Sequence, residues 1–185
     1  MSAAAAHEGA EERPRFNRRE RTAARFFAVQ ALFQMEAGDD PLGKVLEEFE
    51  TWRIGQELDG APVRDADRTL FRTLVKGAIR HQTRIDRLTD RLLKETWPLG
   101  RIDPTLRAIF RAGGAELIET GTPIPVVISE YVEIARDFFP EGREPAMVHA
   151  VLDRVAHAVR DEETAAPSTP APDAPAADMS DKTSE

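Results

Sequence analysis

Apolar side chains recur along this chain at intervals of three and four rather than two, in seven separate stretches. That period predicts helices and no convincing strand. In the first stretch, Ala24, Phe27, Ala28, Ala31, Leu32 and Met35 form one stripe, while Phe26, Val29 and Phe33 occupy the other side. A helix apolar all round is expected to lie buried in a bundle. Asn17, with Glu20 three residues later, resembles a capping box, and Gly38, Asp39, Asp40 and Pro41 form a stop. A second helix is expected from about Pro41 to Gln56. Asp65 is expected to open a third, with Leu70, Phe71, Leu74, Val75, Ala78 and Ile79 on one face, and a fourth carries Ile85, Leu88, Leu92 and Leu93. The pattern leaves open whether a break near His81 divides these two. Trp97-Pro98 closes that unit, and Asp103-Pro104 supplies an N-cap followed by proline at the first helical position. The fifth helix then shows Leu106, Ile109, Phe110, Leu117 and Ile118 before Gly121. The sixth follows Pro123 and Pro125 with Ile128, Tyr131, Val132, Ala135 and Phe139. Glu144-Pro145 opens the seventh, with Val148, Val151, Leu152, Val155 and Val159 in register.

Connections of a few residues favour antiparallel neighbours, so the expected fold class is all-α, a compact bundle of about seven helices. Gly113-Gly114 falls inside the fifth helix, where each glycine costs ~1 kcal/mol relative to alanine. Close approach of another helix is the expected compensation. There is no internal repeat.

With 185 residues, the chain has room for one domain and a tail. No apolar run approaches the ~20 residues that span a bilayer, and the amino terminus lacks the basic and apolar regions of a secretory signal. The absence of cysteine excludes disulfides, thiolate metal sites and cysteine nucleophiles, and a reducing cytoplasm is expected. From Asp161 to Glu185 there are seven acids, one lysine and prolines at 167, 170, 172 and 175, with no apolar period. Such composition predicts disorder. The expected organisation is therefore a flexible arm over 1–15, a helical domain over 16–160 and a disordered acidic tail over 161–185.

The net charge of −8 hides a local reversal. Arg13, Arg15, Arg18, Arg19, Arg21 and Arg25 meet a single acid, Glu20, between residues 13 and 25. Arg18, Arg21 and Arg25 fall on one helical stripe with Thr22 beside them, which predicts surface guanidinium groups able to grip phosphate oxygens. Catalytic signatures are missing: there is no glycine-rich phosphate loop, no HExxH and no serine with a patterned histidine, so no cofactor and no enzyme activity are expected. His149, Asp153 and His157 share a helical stripe, but three points along ~12 Å of helix cannot enclose one ion. Glu130, Glu133 and Asp137 read as the polar face of an amphipathic helix.

Four segments, RERTAARFFAVQALFQME, RIDPTLRAIFRAGGAEL, PIPVVISEYVEIARDFF and EPAMVHAVLDRVA, resemble the NusB family of bacterial transcription antitermination factors, in family order. Together they span about residues 16 to 160. The resemblance implies a non-enzymatic RNA-binding protein of two packed parts, with three and four helices. Its implied ligand is the single-stranded boxA element of nascent ribosomal RNA transcripts, bound together with the ribosomal protein NusE within an antitermination complex on RNA polymerase. By the same resemblance, Arg15, Arg18, Arg19, Arg21 and Thr22 would face RNA, with a second contact at His81, Gln82, Thr83 and Arg84. A third would lie at Pro145, Met147 and His149, where a helix start also favours phosphate. The chain departs from the family at Met147-Val148-His149-Ala150, where phenylalanine-valine-asparagine-glycine is common, and at Ser129, where asparagine is usual. A homodimer and a monomer both fit the pattern.

Three other readings compete, the most remote being a metal hydrolase, which metal analysis of the purified protein would test. The front domain of ribosomal RNA cytosine methyltransferases shares this ancestry, but this chain has neither a cofactor domain nor a cysteine. A helical adaptor that binds only proteins is the rival of another class, and the salt dependence of RNA binding separates it from an RNA-binding protein.

Overall fold

A computed structural model describes residues 18–58, 61–62, 65–93 and 98–165. Seven α-helices follow in order among them: α1 (Arg18–Gly38), α2 (Leu42–Trp52), α3 (Arg68–Arg80), α4 (Gln82–Leu92), α5 (Pro104–Glu119), α6 (Ile124–Phe138) and α7 (Glu144–Ala165). A 3-10 turn at Leu99–Arg101 precedes α5. The period-three-and-four pattern thus identifies the helices. The pattern missed a two-residue antiparallel ladder, β1 (Glu57–Leu58) against β2 (Ala61–Pro62), which is too short to show a period.

Local signals account for most boundaries. Asp103 accepts a hydrogen bond from the Thr105 amide (2.7 Å), with Pro104 as the first residue of α5. Asp39, in the left-handed region at φ 54°, turns the chain between α1 and α2. Three expectations need correction. The α2 helix ends at Trp52, short of Gln56, because Gly55 takes φ 72° and Arg68 draws the turn in by donating to the Ile54 carbonyl (3.1 Å). Asp67, not Asp65, caps α3, accepting from the Leu70 amide at 2.9 Å. The α7 helix continues to Ala165, five residues past the expected end of the domain. The arm at 1–15 and the tail beyond 165 lie outside the described residues.

Helices α1 to α3 pack together, as do α4 to α7, and α5 joins the two groups by touching α1, α3, α4, α6 and α7. Its glycines permit this central position. A Cβ on Gly113 would lie 2.9 Å from Leu152 of α7, and one on Gly114 would lie 2.8 Å from Ile85 of α4. Phe49, Phe71, Phe110, Leu74, Ile109 and Leu152 are wholly enclosed. The α1 helix is not covered all round, however: Phe33 remains 40% exposed. Among the described residues, no helix is long and apolar enough to cross a membrane.

Candidate nucleic-acid interface

The first turns of α1 form one wall of an open cleft of about 850 Å³. Arg18 and Arg21 line it, opposite the loop Thr120–Pro123 and the α6 residues Ser129 and Glu130. Arg18 extends into solvent with its side chain 89% exposed, and its Nε lies 3.6 Å from Glu130 Oε1. Arg19 is also exposed. Arg21 is half-buried and donates from Nη2 to Thr122 Oγ1 at 3.2 Å, which aims its guanidinium along the cleft. Thr22 is partly turned inward: its hydroxyl lies 2.6 Å from Glu130 Oε2 and 3.0 Å from the Arg18 carbonyl. It therefore holds the cleft wall together. Arg15 lies outside the described residues.

Arg25 is the main departure from the expected surface stripe. It is 2% exposed. Its Nε donates to Glu116 Oε2 (2.9 Å) and its Nη2 to Glu116 Oε1 (2.6 Å), while Nη1 lies 3.4 Å from Glu130 Oε2. Burial works to lower the Arg25 pKa, but the hydrogen bond and charge of Glu116 outweigh it and leave that pKa above its ordinary value. Helical spacing placed Arg25 with Arg18 and Arg21, yet one turn further into the bundle it faces two carboxylates rather than water. Burial, with the charge of Glu116 next in importance, likewise pushes the neighbouring Tyr131 phenol well above its usual range. Glu130 is thus no free polar-face residue: it links the buried Arg25 to the exposed Arg18.

The second predicted contact lies at the same end of the bundle. His81 Nε2 sits 2.8 Å from Glu119 Oε1, and Arg80 Nη1 donates to the same oxygen at 2.7 Å. The His81 hydrogen bond, followed by the charge of Arg80, holds the Glu119 carboxyl below its ordinary range. Gln82 is half-buried and Thr83 exposed. Arg84 is already engaged, with its Nη2 2.7 Å from Glu162 Oε2 in the last turns of α7. The third predicted contact is not gathered with these. Pro145, Met147 and His149 occupy the opposite end of α7, and Met147 packs against the core while His149 is exposed. The helix rise sets Met147 about 20 Å along the axis from Arg160, which flanks the Thr120–Pro123 loop. His157 and Asp153 are 3.9 Å apart on an exposed face, and no three potential ligands converge on a metal position among the described residues.

A second surface escaped the sequence reading. Between α1, α2 and α6 runs a groove of about 740 Å³ lined by Phe26, Phe27, Trp52 and Ile134. Trp52 is 72% exposed, and Phe138 stacks on Phe26 with ring centroids 5.6 Å apart while remaining partly exposed. An apolar patch of this kind is the usual mark of a protein interface. Phe26 and Phe33, off the main apolar stripe of α1, were the available signal.

The family model for the NusB family matches residues 22–157. The chain belongs to the NusB family. It is 51% identical over 144 residues to the transcription antitermination protein NusB of Agrobacterium fabrum, covering 77% of this chain and 87% of that protein. The NusB protein of Rhizobium rhizogenes is 47% identical over 152 residues, covering 82% and 94%. Among solved structures, T. maritima NusB superposes with a TM-score of 0.59 at 31% identity, covering 74% of this chain and 89% of that one. A NusB solved with NusE and double-stranded RNA shares the fold, with a TM-score of 0.58 at 24% identity and coverage of 77% and 99%. The all-α NusB fold and membership of a family of antitermination factors are thus established for this chain.

Proposed function

We propose that this protein binds the boxA element of nascent ribosomal RNA transcripts through the open end of the bundle, together with NusE, as a non-enzymatic antitermination factor of the cytoplasm. The observation that carries this reading is the exposed guanidinium of Arg18 at a cleft into which Arg21 is oriented by Thr122, with Arg19 exposed at the next position of α1. Arginine forks at the edge of an open cleft suit phosphate oxygens and stacked bases. Among solved relatives of this fold, one was crystallised with NusE and RNA, which supports the same pairing of partners. The aromatic groove around Trp52 belongs to NusE in this reading, since it has the exposed aromatic character of a protein interface and lies apart from the arginines. RNA polymerase is then reached as part of that assembly. His81 to Arg84 border the RNA path, and Pro145, Met147 and His149 meet only a strand long enough to follow α7.

The test is titration onto boxA RNA and a scrambled control, with and without NusE. Binding to boxA should exceed binding to the control and tighten when NusE is present, because each protein raises the other's affinity by the same factor. Trp52→Ala should abolish that gain and leave RNA binding by the protein alone unchanged. Replacing Arg18, Arg19 and Arg21 together by alanine should weaken RNA binding and flatten its salt dependence, by ~0.7 in slope for each phosphate no longer neutralised. Unchanged RNA affinity in that triple variant would leave the protein-only adaptor as the better account.

A further inference from the structure

We infer that the outward face of α3 is a second binding site for RNA phosphates, continuous with the start of α1; this rests on the RNA-binding reading above. From Arg68 to Arg84 every fourth residue is basic: Arg68, Arg72, Lys76, Arg80 and Arg84. Across residues 68–92, seven basic side chains meet only two acids, Asp86 and Asp90, in a chain whose net charge is −8. This second island carries the same net charge of +5 as the one at the amino terminus, spread over 25 residues rather than 13.

A period of four on a helix of 3.6 residues per turn drifts by about 40° at each step, so successive cations lean gradually from the α2 side of α3 toward α5. Arg68 donates to the carbonyls of Glu50 (3.0 Å) and Ile54 (3.1 Å) and thereby closes the end of α2. It has a structural task. Arg72 pairs with the Glu50 carboxylate, Lys76 has no hydrogen bond or ion pair among the described residues, and Arg80 shares Glu119 with His81. Arg72, Lys76 and Arg80 line a shallow cleft of about 240 Å³ with the hydroxyl residues Thr69 and Thr73 and, at the Arg80 end, the Glu119 carboxylate. Four residues of helix rise about 6 Å, so the three cations form a regularly spaced row about 12 Å long.

This row is joined to the α1 cleft at both ends. At one end the Asp67 amide donates to the Glu20 carbonyl (3.1 Å), bringing the first turns of α1 and α3 together. At the other end, Glu119 precedes the Thr120–Pro123 loop that walls the α1 cleft. A strand leaving Arg18, Arg19 and Arg21 therefore meets Arg72, Lys76 and Arg80 without crossing an acidic helix. The two carboxylates do not close the row. Glu50 and Glu119 are 18% and 20% exposed, whereas Arg72 and Arg80 are 50% and 65% exposed, so each guanidinium keeps an open side toward solvent beside its carboxylate. A phosphate can therefore approach the open side of each guanidinium, with Lys76, which makes no close ion pair among the described residues and senses only the charge of Glu50, standing between them.

The experiment compares a short boxA RNA with the same RNA extended by flanking nucleotides on each side, using the full chain. Wild-type protein should bind the extended RNA more tightly and with a steeper salt slope. Replacing Arg72, Lys76 and Arg80 by alanine should remove that advantage, lowering the slope magnitude on the extended RNA by ~2 at ~0.7 per phosphate. Binding to the short RNA should remain as in wild type. Lys76→Glu, which breaks no ion pair, should reproduce part of the loss, and circular dichroism should show both variants folded. An extended RNA bound no better than the short one by wild type, or a triple variant with an unchanged slope, overturns the inference while leaving the α1 site standing. Failure of wild type to bind either RNA overturns both. Capture of an acidic protein through α3 with RNA binding unchanged assigns the row to a protein partner and likewise overturns it.

Discussion

Replacing Arg25 by alanine should destabilise the fold far more than replacing any of the arginines before it. The guanidinium is 2% exposed and makes two hydrogen bonds to Glu116, which is wholly buried, with Glu130 at 3.4 Å. Truncation removes the one cation that reaches both enclosed carboxylates and leaves Glu116 with no cation among the described residues, while Glu130 keeps Arg18 at 3.6 Å. Breaking one side of a buried pair costs about 3–5 kcal/mol, because the remaining charge is left without water or partner. For a chain of this size that corresponds to a fall in Tm of roughly 6–20 °C. Arg18→Ala, at a site 89% exposed, should stay within about 0.5 kcal/mol of wild type. Arg25→Lys should fall between, since one ammonium cannot offer the two-pronged contact that Glu116 accepts. Urea unfolding followed by circular dichroism measures all three. If Arg25→Ala unfolds within about 1 kcal/mol of wild type, Glu116 is not a buried charge held by Arg25, and the account of the α1–α5 junction fails.

Three other outcomes follow from named contacts. Glu36 pairs with Arg107 and Arg111; burial opposes its ionisation, but the Arg107 hydrogen bond and both positive charges hold its carboxyl below the ordinary range. Its contribution is therefore complete above the unfolded carboxylate pKa of ~4.3 and disappears as pH falls through the lower folded value. Glu36→Gln should lower the urea midpoint at neutral pH and converge on wild type in acid, and a pH-independent difference would contradict the linkage. Glu162→Gln should free Arg84 and tighten RNA binding, with unchanged affinity at low salt showing that this pair does not compete. Gly114→Ala should cost about 1–3 kcal/mol by driving a methyl group against Ile85, and a neutral effect in thermal unfolding would mean that α4 has room to shift.

Most of the helical framework was legible because its causes are local. Asp103-Pro104, the prolines at 123 and 125 and Glu144-Pro145 act within one turn of themselves, and apolar spacing reports a helix whatever it packs against. The glycine pair at 113 and 114 announced a close approach, though only the fold named Leu152 and Ile85 as the neighbours. Boundaries slipped where the cause was distant: Arg68 of α3 draws in the turn that ends α2, and Glu162 of α7 finds Arg84 beyond the expected end of the domain. The arginines show the same division. Charge composition pointed to an anionic partner, but Arg18, Arg21 and Arg25 look alike on a helical wheel. Only tertiary structure sends Arg25 inward, because Glu116 lies 91 residues away in sequence and is wholly buried beside it. Backbone conformation is chosen over a few residues, whereas the partner of a charged side chain is chosen by whatever the fold brings within about 3 Å of it.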